Sequence, residues 1–318
     1  MKMRSITRRE IAGFVLSLIC ATGFASSCLA QSGSTPSPNM PSEEEIAKKL
    51  NAMSPEKKKQ LAEALDQYQL MTDLQSGTCK RAAEVNMKAI QGDPQSIYWR
   101  SSMYQKGYCV AQDRDRFHAD LEQASTLGIA GATADIGEYV MRGEEGYQQN
   151  MGLARAWFEK SVAQGGPPRA FMTLGGLLIL GGGGPKDSAR GVRLVEQAAA
   201  AKDSDLQTSN SALTFLAKGY IQGEYLPKDI PAGRTYALKG AAQCDATAMN
   251  LVATSYSLEA PPNLVREYAW ANVATAHGDN TTDAEAVKIR AAAEQAMSKK
   301  AIAQAQALTA NLPVCKPN

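Results

Sequence analysis

The stretch ATADIGEYVMRGEEGYQQNMGLARAWFEKSVAQG, residues 132–165, decides the fold class. Ala132, Ile136, Gly137 and Val140 place small and apolar residues at helical spacing, which predicts a helix able to approach a neighbour closely. Gly143 then predicts the stop, because glycine enters the left-handed region at little cost. Asn150 is the expected cap of a second helix. Trp157 is the bulky side chain expected to plug the seam between the two helices, and Gly165 ends the unit. Neither helix could bury its apolar stripe alone, so such a pair requires a neighbouring pair to lean on.

The same signals recur along the chain. Gly107, Gly143, Gly181 and Gly223 are spaced by 36, 38 and 42 residues, and each precedes a polar residue: Asp113, Asn150, Asp187 and Asp229. Seven positions after the last three of these stand Trp157, Leu194 and Tyr236, the expected seam residues, whereas the first copy has Asp120 there with Leu121 beside it. Trp270 marks a fifth copy, which has Pro261-Pro262 in place of the linking glycine. Internal periods of this length denote stacked repeats.

In these residues the chain resembles the Sel-one-like repeat family, a branch of the tetratricopeptide-type helical repeats. The fullest copy runs from Ala132 through Ile136-Gly137, Gly143, Gly146, Ala154 and Trp157-Phe158 to Gln164-Gly165. A third keeps Ala170, Leu174-Gly175, Gly181, Asp187 and Ala198-Ala199; a fourth keeps Tyr220, Gly223, Asp229, Tyr236 and Lys239; a fifth runs from Tyr268 and Trp270 to Gly278. The resemblance implies an all-α, right-handed α-solenoid of about five stacked helix-turn-helix repeats. It also implies a protein or peptide partner on a concave face, with no catalytic residue and no cofactor. Some cysteine-rich relatives have been linked to β-lactam binding, so an enzyme of that type is the alternative function, and a secreted effector of host proteins is another.

The expected organisation is a signal peptide at 1–30, a flexible linker at 31–41, N-terminal helices at 42–78, the repeats at 79–280 and C-terminal capping helices at 281–318. The leader reading rests on a basic start, Lys2 to Arg9, followed by an apolar run from Ile11 to Ala21. Its Arg8-Arg9 pair leaves Sec and twin-arginine export as alternatives. Cleavage after Ala30 predicts a periplasmic product; cleavage before Cys28 in Phe24-Ala25-Ser26-Ser27-Cys28 predicts an outer-membrane lipoprotein lipidated on Cys28. Residues 31–41 are rich in Ser and Pro with no apolar period. Ser42 with Glu45 forms a capping box ahead of Ile46, Leu50 and Met53, and Ser54-Pro55 opens a second helix whose stripe is Leu61, Leu65, Tyr68 and Met71.

The net charge is +2, and residues 1–30 carry +3 of it, which leaves −1 for the rest. A nearly neutral chain has no electrostatic footprint for nucleic acid. Outside the leader the cysteines are Cys79, Cys109, Cys244 and Cys315, an even number suited to an oxidising compartment. In an up-down helix array Cys79 and Cys109 fall at one end and Cys244 and Cys315 at the other, which predicts 79–109 and 244–315 pairing.

Motifs with chemical associations read as structure. Ser54-Pro55-Glu56-Lys57 matches Ser-x-x-Lys, but the companion Ser-Asp-Asn and Lys-Thr-Gly elements are absent and Ser-Pro-Glu starts helices. Gly181 to Gly184 with Pro185-Lys186 lacks the Gly-Lys-Ser/Thr ending of a phosphate loop. His118 and His277 each stand alone, so no metal site is expected. The first repeat carries Tyr98, Trp99, Tyr104 and Tyr108, the place to look for aromatic anchors.

Overall fold

The computed structural model describes residues 48 and 50–312, except 202, 203 and 279. Among the described residues the regular structure is entirely helical, in the order α1 (Pro55–Gln75), α2 (Ala82–Ile90), α3 (Pro94–Lys106), α4 (Arg114–Thr126), α5 (Ala130–Arg142), α6 (Met151–Ala163), α7 (Pro168–Leu180), α8 (Ser188–Ala200), α9 (Leu206–Gln222), α10 (Ile230–Ala241), α11 (Ala246–Ser257), α12 (Leu264–His277), α13 (Asn280–Ala296) and α14 (Lys299–Thr309). The expected leader, linker and capping box, with Cys28, and the C-terminal Cys315 lie outside the described residues.

The helices pair as α3/α4, α5/α6, α7/α8, α9/α10 and α11/α12, and one local device makes each turn. Gly107, Gly143, Gly181 and Gly223 have φ of +73°, +71°, +80° and +76°. This is the left-handed backbone that closes a helix and satisfies its last carbonyls. Asp113, Asn150, Asp187, Asp229 and Asn263 then cap the second helices, each side chain accepting the N–H three residues ahead at 2.9–3.2 Å. The cap residue's own N–H donates back across the turn, to the carbonyls of Tyr104, Val140, Leu178, Tyr220 and Tyr256 at 2.8–3.1 Å. In the four glycine turns that carbonyl belongs to the residue three before the glycine, so the repeats share one hairpin geometry. The fifth makes the same bond without a glycine.

The chain forms two compact units that divide between Ile136 and Gly137, within α5. In the first, Leu70, Leu74, Val85 and Met103 form a core from α1, α2 and α3. Tyr68, expected in the apolar stripe of α1, is 52% exposed, so the buried stripe runs instead through Leu70 and Leu74. A disulfide joins Cys79 to Cys109 with Cα atoms 5.5 Å apart. Cys244 is also disulfide-bonded.

In the second unit each helix from α7 to α12 packs on the next, and α13 and α14 cover α12. Small residues set the spacing. A Cβ on Gly175 would stand 2.7 Å from the Gly191 carbonyl oxygen, one on Gly191 equally close to that of Gly175, and one on Gly233 2.9 Å from that of Ala217. The α7/α8 and α9/α10 seams are therefore backbone against backbone.

Candidate functional site

Counting from the cap residue places each seam side chain. Four positions on stand Phe117, Ala154, Gly191, Gly233 and Glu267; eight on, Leu121, Phe158, Val195, Ala237 and Ala271; eleven on, Ala124, Ser161, Ala198, Gly240 and Ala274, all buried. Spacing of 4, 8 and 11 keeps one helix face turned to its partner. The residues expected to plug the seam lie one position earlier. Leu194 and Trp270 are buried there, at 7% and 3% exposure. Trp157 and Tyr236 are only half buried. Trp157 lies flat under the Lys160 ammonium, and Phe158 fills the seam against Gly137, where a Cβ would meet its ring at 3.2 Å. Tyr236 stacks on Tyr220 and donates to Glu196.

The first copy departs at Asp120, and the structure supplies the compensation. Arg100 grips that carboxylate through two bonds of 2.7 Å, joining α3 to α4. The aromatic cluster of this copy is occupied structurally. Tyr98 donates to Asp135 and Tyr104 accepts from Arg116, while Trp99 and Tyr108 pack on the core of the first unit.

The other motif residues also have structural partners. Ser54 caps α1 by accepting the Lys57 N–H. Gly183 lies against Met151 of α6, and Arg155 donates to the Pro185 carbonyl at 2.8 Å, so the glycine turn locks one pair to the previous one. The His118 ring meets Phe117 edge-on, and the His277 Nδ1 lies 3.0 Å from the Val273 carbonyl. Among the described residues no three His, Cys, Asp or Glu side chains are grouped to hold a metal ion. No helix there is long and apolar enough to cross a membrane.

Each unit carries a cleft among its described residues. One of about 370 Å³ lies over Leu70, Val85 and Trp99 in the first unit. Its charged wall is a closed ion network: Arg81 donates to both oxygens of Asp66, and Glu84 accepts from Arg81 and Lys88. The Lys88 ammonium and Arg81 guanidinium hold the Glu84 carboxyl down at about 2. The other, about 440 Å³, lies between the Pro261–Val265 turn and the α13–α14 junction at Met297 and Ser298.

The two helix rows of the second unit differ in chemistry. The second helices α6, α8 and α10 carry eight charged residues; the first helices α7, α9 and α11 carry two, Arg169 and Lys218. Long polar side chains bridge the second-helix row, from Arg190 to Glu159 and from Tyr236 to Glu196. The first helices touch one another directly, α7 with α9 and α9 with α11. Arg169 is paired with Glu138 at 3.0 Å.

Comparison with solved structures finds a similar fold in Sel1 repeat proteins. A Sel1 repeat protein from Oxalobacter formigenes matches with a TM-score of 0.56 and 23% identity, over 66% of this chain and 85% of that one. A protective antigen of uropathogenic Escherichia coli with an SLR fold matches at 0.42 and 18%, over 79% and 62%. A sel1 repeat protein from Klebsiella pneumoniae subsp. pneumoniae matches at 0.42 and 19%, over 65% and 97%. The chain has the all-α fold of Sel1 repeat proteins. No protein-family model and no curated protein matches the sequence.

Proposed function

We propose that this protein is an exported scaffold of the bacterial cell envelope that holds another protein on its stacked helix pairs and has no bond-making role of its own. The observation that carries this reading is the contrast between the helix rows of the second unit. First helices in direct contact, opposite second helices spanned by long side chains, support a curved stack with its first helices inside. Inner faces of helical repeats accept polypeptide segments because each pair adds a similar strip of surface. The basic, apolar and small-residue pattern of 1–30 and the bonded cysteines favour an oxidising compartment, with the periplasm as the location.

In vivo crosslinking of the full chain, followed by affinity capture from fractionated cells, tests this. The expected result is one or more envelope proteins in the eluate and the scaffold in the periplasmic fraction. Recovery of nothing beyond a leader-only control removes the scaffold reading. Recovery from the culture medium instead moves it outside the cell.

A further inference from the structure

Among the described residues four that are not glycine have left-handed backbone, and three of these are cysteines: Cys79, Cys109 and Cys244, with φ of +54°, +62° and +66°. For two of them the turn itself sets this backbone. Cys109 lies two residues after Gly107, and Glu145 and Gly183, two residues after Gly143 and Gly181, are left-handed as well. Cys244 stands where other second helices end on Gly128 and Gly165. The N–H groups of Ile129, Gly166 and Asp245 each donate to the carbonyl five residues back, and the residue before each is left-handed. Glycine enters that region freely, and a side chain resists it. A cysteine kept in such a place serves through its sulfur, and all three are bonded.

The Cys79–Cys109 bridge ties the α1–α2 turn to the turn after α3. Little else holds α1 to the first unit. Of its 21 residues, Leu70 and Leu74 are the buried ones among those described, both in the last two turns. Arg81 reaches Asp66, but that carboxylate is 61% exposed, and open ion pairs contribute little. Asp73 accepts the Arg81 N–H at 2.8 Å, which joins α1 to α2 and does not involve α3. Cys109 packs on the core of Leu70, Leu74, Val85 and Met103. Cys79 is half-buried in a turn where Gln75 to Thr78 and Lys80 are exposed, so a reductant reaches the bridge from the Cys79 side.

We infer that the Cys79–Cys109 bridge is a reversible redox latch on α1: a dithiol reductant opens it in the folded protein, and α1 then lifts from the core of the first unit while the later repeats stay folded. A thiolate of the reductant attacks the Cys79 sulfur, the S–S bond breaks and Cys109 leaves as the thiolate. The second thiol of the reductant then displaces Cys79, and the reductant departs as its own disulfide. Two electrons and two protons end on the Cys79 and Cys109 thiols. Reduction removes the tie and leaves two side chains in backbone that disfavours them, so the turn opens further than loss of the bond alone would allow. The latch does not depend on the scaffold reading.

The test titrates the full oxidised chain with dithiothreitol in the absence of denaturant, traps free thiols with a maleimide, and follows amide exchange helix by helix. Cys79 and Cys109 are expected to label in the folded chain. Exchange in α1 quickens about a hundredfold, the loop-entropy share of a bridge of this span, and exchange in α7 and α8 changes by less than about twofold. Reoxidation restores the protection. Two double variants separate the bond from the backbone: Cys79→Gly with Cys109→Gly exchanges in α1 about tenfold more slowly than Cys79→Ala with Cys109→Ala. Labelling only in denaturant, unchanged exchange in α1 after reduction, or an equal loss of protection in α7 and α8 would overturn the inference. So would a glycine pair no better protected than the alanine pair.

Discussion

At the scale of single residues, burial separates neighbours that look interchangeable in the sequence. Phe158 is fully buried in the seam while Trp157, one residue earlier, is half exposed. Phe158→Ala is therefore expected to cost about 3–5 kcal/mol and Trp157→Ala about 1 kcal/mol or less, read as urea midpoints. Equal losses would put both rings in the seam. Glu267 is the counter-example to apolar filling: it occupies the seam position held by Phe117, Ala154, Gly191 and Gly233 in the other copies. Burial pushes its carboxyl above the usual 4.5. Below that pH the residue is neutral in both states. As pH rises past 4.5 the unfolded chain ionises first, so stability is lost through the folded-state pKa. Glu267→Gln should match the wild type near pH 4 and be the more stable of the two at pH 7. Thermal melts of the two proteins from pH 4 to pH 8 measure the difference, and parallel curves would show the carboxylate to be solvated. The caps and turn glycines were legible in the sequence, because their preferences depend only on nearby backbone. Phe158 was not, since an adjacent Trp carries the same hydrophobic signal.

At the scale of elements, glycine has two different jobs. In the turns it supplies positive φ; inside α7 and α8, Gly175 and Gly191 let the two backbones meet. Gly175→Ala would place a methyl 2.7 Å from the Gly191 carbonyl oxygen and 2.6 Å from a Val195 methyl. The helices must separate, at about 1–3 kcal/mol, although alanine is the better helix former. A variant as stable as the wild type would mean that the pair can slide without loss. Gly176, next in sequence, has no heavy atom within 4 Å of an added Cβ, so Gly176→Ala should be neutral or slightly stabilising. The two glycines are neighbours in one helix, and only the packing distinguishes them.

At the scale of the whole molecule, each pair is held chiefly by its neighbours, so damage should stay local. The Cys79–Cys109 bridge closes a 30-residue separation in the first unit. Loop entropy gives it about 3–4 kcal/mol. Replacing both cysteines by serine should accelerate amide exchange in α1, α2 and α3 while α9 to α12 keep their protection. Uniform acceleration along the chain would indicate a single cooperative body. What the sequence determined alone was a run of capped helix pairs joined by glycine turns, because those preferences act over a few residues. It also determined that the pairs must stack, because their apolar stripes are too narrow to close a core singly. Only the tertiary structure decided which of two adjacent residues enters the seam and which helices touch one another directly. Each residue turns a helix by about 100°, and its final phase is set by the neighbour it packs on, which lies far away along the chain.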